Sequence, residues 1–180
     1  MGKFAIIIFA FVISLAVLHK MLVSYELVES YAKGEIIYPD VRLGISVPSN
    51  LIVPKNSLPP LVTLIQFVVF NPLYFIKITA IKVFLFLSNV KPYFSWLHNL
   101  LIIFILYPLY GFGIVGLRKY SYDKRILHFI VSYIIAQTIT VGLTTENWDG
   151  RFLVPVLPFI FILSAIGLYT LRGSIKKASS

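Results

Sequence analysis

The sequence predicts an all-α integral membrane protein with about four transmembrane helices and one interfacial helix. Three observations predict it. Hydrophobic residues make up 58% of the 180 and charged residues only 13%, against roughly 45–50% and about 25% in soluble domains. Long apolar runs recur with lysines and arginines at their ends, and a span needs only ~20 apolar residues. A single substantial polar stretch separates the first run from the rest. This composition excludes a soluble enzyme and a disordered tail. The absence of cysteine excludes a disulfide-stapled secreted domain. The net charge of +9 lies largely at the flanks of apolar runs, where it sets orientation rather than binding nucleic acid.

Residues 1–24 read as the first transmembrane helix. Phe4 to Leu18 is apolar, bracketed by Lys3 and by His19 and Lys20, and extends to Val23 if Lys20 snorkels. A signal peptide is the rival reading, with Ser14-Leu15-Ala16 as its cleavage site; the run continuing through Val17 and Leu18 favours a retained anchor. Residues 25–60 read as an external loop. They hold four of the seven acids (Glu26, Glu29, Glu35, Asp40) and are broken by Gly34, Pro39, Gly44, Pro48, Pro54, Pro59 and Pro60. A short helix is expected near Tyr25 to Ala32.

Residues 61–96 read as an interfacial helical segment. Asn71-Pro72 has the form of an N-cap followed by proline in the first turn, which makes Leu73 to Leu87 a separate helix. Lys77 and Lys82 argue against a span, since a central lysine costs ~2.5–3.5 kcal/mol. Their headgroup-directed placement along the interface is the expectation, although they stand about 140° apart on a helical wheel. Residues 97–171 read as a three-helix bundle: Leu97 to Leu117, Ile126 to Leu143 and Phe152 to Leu171. A basic tail, 172–180, follows.

Positive charge then orders the topology. Arg118, Lys119, Lys124 and Arg125 mark one link as cytoplasmic, and Arg172, Lys176 and Lys177 mark the tail likewise. The link 144–151 carries Glu146 and Asp149 against Arg151 and is expected outside. Both termini are then cytoplasmic, in a plasma (inner) membrane. The segment 25–96 must cross an even number of times; residues 61–87 are too few for two crossings, so zero is consistent.

Soluble catalytic signatures are missing: there is no glycine-rich phosphate loop, no H-E-x-x-H and no G-x-S-x-G. His19, His98 and His128 share no ligand spacing, so neither a metal nor another cofactor is expected. The external rim gathers the functional material. Lys91, Tyr93, Trp96, His98 and Asn99 come from one segment; Glu146, Asn147, Trp148, Asp149 and Arg151 come from another. Cations and aromatics at headgroup depth could hold a phosphate and stack on a sugar. The ordinary alternative is that Arg151 pairs with Asp149 at a helix end, while Trp96 and His98 belong to an aromatic belt.

Asp149-Gly150-Arg151-Phe152-Leu153-Val154-Pro155-Val156-Leu157-Pro158 opens the last apolar run. It resembles the D-x-R-[YF]-x-x-P-x-x-P pattern of integral membrane glycosyltransferases of the C superfamily. Asn71-Pro72-Leu73-Tyr74-Phe75-Ile76-Lys77 and Lys91 to Asn99 are similar to the later part of such proteins, in the same order, over roughly residues 61–171. The resemblance implies a polyprenyl-phosphate-linked sugar donor, with Arg151 and Lys91 on the lipid phosphate and His98 lining the same pocket; the rim itself puts Trp96, Trp148 and Asp149 near headgroup or sugar. The family's catalytic acid belongs to a first external loop, and residues 25–60 hold no paired-acid motif. The chain therefore reads as a C-terminal remnant or accessory subunit, inactive alone, whose partner membrane protein supplies the catalytic half. The alternative is a non-enzymatic membrane subunit or anchor of an envelope complex.

Overall fold

The computed structural model describes residues 8, 9, 12–14, 16, 17, 20, 27–37, 43–54, 59–120, 123–144 and 149–178, with side chains to 173. The described chain is mostly helical. Among the described residues, two helices are long and apolar enough to cross a membrane, or three if one bent pair counts as a single span. The first expected span, 1–24, falls largely outside the described residues; Ile8, Phe9 and Val12 within it are helical and exposed. Two compact units, 1–79 and 80–180, divide the chain.

In the first unit, the loop expected over 25–60 holds more order than its prolines and glycines predict. Helix α1 (Leu27–Ala32) leads into an antiparallel pair, β1 (Glu35–Ile37) and β2 (Leu43–Gly44). Gly34 turns the chain at φ +69°, and its carbonyl accepts from Ile45 N–H at 2.9 Å. Leu27, Tyr31, Ile36 and Ile37 are buried. The Tyr31 ring stacks on Phe67 of α2 (Pro60–Phe70) at 5.7 Å, and its carbonyl accepts from the Tyr74 hydroxyl at 2.9 Å. These segments therefore form a small apolar core, and the short helix expected near Tyr25 to Ala32 is part of it.

Helix α3 (Pro72–Ser88) starts where Asn71-Pro72 predicts, and its axis meets that of α2 at 105°. The Asn71 carbonyl accepts the first α3 bond, from Phe75 N–H. Its side chain does something other than cap α3. Oδ1 accepts from Ile52 N–H at 3.0 Å, while Nδ2 donates to Ile52 O and Phe67 O. A buried amide thus ties the preceding loop to the bend.

The second unit is built on α4 (Trp96–Lys119), α5 (Lys124–Leu143) and α6 (Leu157–Ala178). Ser95 and Asp123 cap α4 and α5, accepting from His98 N–H and Arg125 N–H. A core of Phe86, Leu106, Val141, Leu153, Val156 and Ile160 joins the three to the end of α3. Helices α4 and α6 approach so closely that a Cβ on Gly116 would collide with the Leu163 carbonyl, and one on Gly167 with Phe112 O. The Ser164 hydroxyl sits 2.6 Å from both Leu109 O and Ile160 O at this crossing.

Two expectations are corrected here. The last helix begins at Leu157, not Phe152, because residues 151–156 form successive turns. Pro155 lacks an N–H and disfavours helical backbone at Val154, while Pro158 fits the first turn of α6. Lys82 does not reach toward headgroups. It is fully buried, and its ammonium donates to Thr144 O, the C-cap of α5, at 2.6 Å. Lys77 is exposed. The wheel angle that spoils their amphipathic pairing is why one lysine faces out and the other in.

Candidate functional site

The C-terminus of α3 is the foundation of the site. Asn89 follows the helix with φ +52°, the left-handed conformation in which helices commonly end on glycine or asparagine. Its N–H donates to Leu85 O at 3.0 Å. The Lys91 ammonium donates to the same carbonyl at 3.2 Å, and the Tyr110 hydroxyl donates to Leu87 O at 2.6 Å. A cation at a helix C-terminus complements the backbone dipole there. Lys91 is fully buried in this role. Its main chain pairs with Asn99, whose Oδ1 accepts from Lys91 N–H and whose Nδ2 donates to Lys91 O. That exchange fixes the turn leading into α4.

Among the described residues, the second segment comes up against Asn89, just before the first. Gly150, at φ +75°, lies against Asn89, so close that a Cβ would stand 2.6 Å from Asn89 Oδ1. That oxygen is buried and has no hydrogen-bond partner among the described residues. Two left-handed residues in contact, one beside an unpaired acceptor, mark the place where the predicted rim segments converge.

Arg151 stands on the turn that Gly150 fixes. Its side chain is 69% exposed, and its Nε donates to Asp149 Oδ2, while its N–H donates to Asp149 Oδ1 at 3.1 Å. Desolvation raises the Asp149 pKa, but the hydrogen bonds and charge of Arg151 together outweigh it and hold the carboxyl below its ordinary value. The Nη groups of the guanidinium remain as a fork of donors suited to an anion.

Trp96 is 76% exposed in the first turn of α4. His98 is exposed too, its ring against Phe94 at 4.4 Å. Trp148 lies outside the described residues, as do Glu146 and Asn147. The structure therefore joins the His98 and Arg151 segments through Asn89 and Gly150, and gives Lys91 no accessible surface. Sequence reasoning missed Asn89, although an asparagine just after an apolar run is a helix-end signal. It also missed both lysine caps, for which no local signal exists.

No family model matches the chain, and comparison with curated proteins and with solved structures finds no match.

Proposed function

We propose that this protein holds a lipid-linked phosphate at the outer surface of a membrane, as a C-terminal part or accessory subunit of a polyprenyl-phosphate-dependent glycosyltransferase. The observation that carries the reading is Arg151: an exposed guanidinium on a turn pinned by the Asn89–Gly150 contact, with donors to spare beyond Asp149. In this reading residues 1–24 and α4 to α6 cross the membrane, both termini are cytoplasmic, 25–60 and 144–151 are external, and α3 lies along the outer interface. Contact with phosphate falls to Arg151, because Lys91 has no accessible surface. Trp96 and Trp148 sit at headgroup level, and His98 and Asp149 line the approach. The partner supplies the acid or base that activates an acceptor, since such a group must stand within hydrogen-bonding reach of the proton.

A second reading, a non-enzymatic membrane subunit or anchor, is favoured by the Asp149–Arg151 pair and by the helix-capping role of Lys91. Copurification from mild detergent separates the two. Polyprenyl phosphate in the preparation, together with a membrane protein that restores sugar transfer, is expected. Bulk phospholipid alone and no such protein would leave the anchor reading.

A further inference from the structure

The turns that carry Arg151 are short of backbone donors. Pro155 has no N–H, and the Val156 N–H goes to Leu153 O at 2.9 Å. Those are the two donors that a turn or a helix would offer the Phe152 carbonyl. This carbonyl belongs to the residue after Arg151, in a segment whose Leu153 and Val156 are buried in the core. A buried carbonyl left without a partner is costly. The missing donor comes from another element. Gln137, in the second half of α5, donates from Nε2 to Phe152 O at 3.2 Å. The polar residues beside it behave differently: the hydroxyls of Thr138 and Thr140 donate back into their own helix, to Ile134 O and Ala136 O. Of the three, Gln137 reaches outside α5. The backbone is thereby held on both sides of Arg151, with Gly150 against Asn89 and Phe152 O on Gln137.

We infer that Gln137 is the positioning residue of the anion site: it touches no ligand, and it aims Arg151 by holding the carbonyl that Pro155 leaves unpaired. The inference rests on the phosphate reading of Arg151 and adds what fixes the guanidinium in place. An arginine on a loose turn has to order its backbone as it binds, and that cost lowers affinity. On a turn already held from a neighbouring helix the ordering is complete beforehand. A glutamine suits the task in an apolar surrounding, because it brings a neutral donor on a side chain long enough to cross to the next element.

The test is a double-mutant cycle on farnesyl phosphate binding by the purified full chain in detergent. Gln137→Leu should weaken binding about fivefold, while Thr138→Val, which removes a hydroxyl bonded within α5, binds as wild type does. In an Arg151→Ala background, Gln137→Leu should have no further effect. A further loss of the same size there would mean that Gln137 acts on the fold and not through Arg151, and overturns the inference. Wild-type binding by Gln137→Leu, with loss in Arg151→Ala, also overturns it and leaves the phosphate reading standing. Wild-type binding by Arg151→Ala removes the phosphate reading, and the inference with it. Should Gln137→Leu fail to fold, wild-type protein decides the matter. The chain has two glutamines, Gln66 and Gln137, so side-chain 15N labelling gives two amide groups, told apart by Gln66→Leu. Farnesyl phosphate should shift the Gln137 amide resonances and leave those of Gln66 in place, with no shift in Arg151→Ala. Unmoved Gln137 resonances at saturating ligand overturn the inference.

Discussion

Replacing Gly116 by alanine perturbs the α4–α6 crossing at its tightest point. The new Cβ would meet the Leu163 carbonyl, a backbone atom that no rotamer change can move. Restoring an ordinary van der Waals distance of 3.4 Å requires the helices to separate. Separation also strains the Ser164 hydroxyl, which bridges from α6 to Leu109 O. Overpacking of this kind costs about 1–3 kcal/mol, and a weakened interhelical hydrogen bond adds roughly 0.6 kcal/mol in a membrane protein. A loss of about 2–3 kcal/mol is expected in equilibrium unfolding in mixed micelles. Gly111→Ala is the control on the same helix, because nothing lies within 4 Å of its Cβ position. It should be neutral or slightly stabilising, by up to about 1 kcal/mol, since alanine is the better helix former. Equal stability of Gly116→Ala and Gly111→Ala would refute the crossing described here.

Topology is testable with single cysteines. Ser57→Cys and Thr145→Cys should react with a membrane-impermeant thiol reagent in intact cells, and labelling of Ser121→Cys in their place would invert the orientation. The Asp149–Arg151 pair makes a pH prediction. Asp149 is held below its ordinary value, so the contribution of the pair is complete above about pH 4 and is lost as pH falls through the lowered value. Asp149→Asn should therefore cost less than about 1 kcal/mol at neutral pH, a difference that disappears in strong acid; a cost that persists unchanged there would show that the pair is not its source.

Much of the second unit is legible in the sequence because its signals are local. Long apolar runs with basic residues at their ends announce α4 and α5, and in the first unit Asn71-Pro72 announces the start of α3. The start of α6 is hidden, because the apolar run continues unbroken through a segment that the prolines force into turns. The β1–β2 pair is hidden for another reason: strands of three and two residues are too short to show a period of two. Lys82 and Lys91 look like interface residues because nothing local reveals that each finds a helix C-terminus to cap. Of the rim, the convergence of its two segments is anticipated by topology, but the contact that joins them, Asn89 on Gly150, depends on two backbone conformations that only the fold displays.

The central claim is that Arg151 holds a lipid phosphate. Titration of polyprenyl phosphate onto the purified protein, followed by phosphorus NMR, tests it most directly when Arg151→Ala is compared with Arg172→Ala. Arg172 is exposed in the last turns of α6, in the segment assigned to the cytoplasmic side, so it reports the effect of removing one arginine charge alone. At least about tenfold weaker binding is expected in Arg151→Ala, the loss of one charge-assisted contact, with Arg172→Ala indistinguishable from wild type. Equal binding in the two variants would contradict it and leave Arg151 as a helix-end charge paired with Asp149.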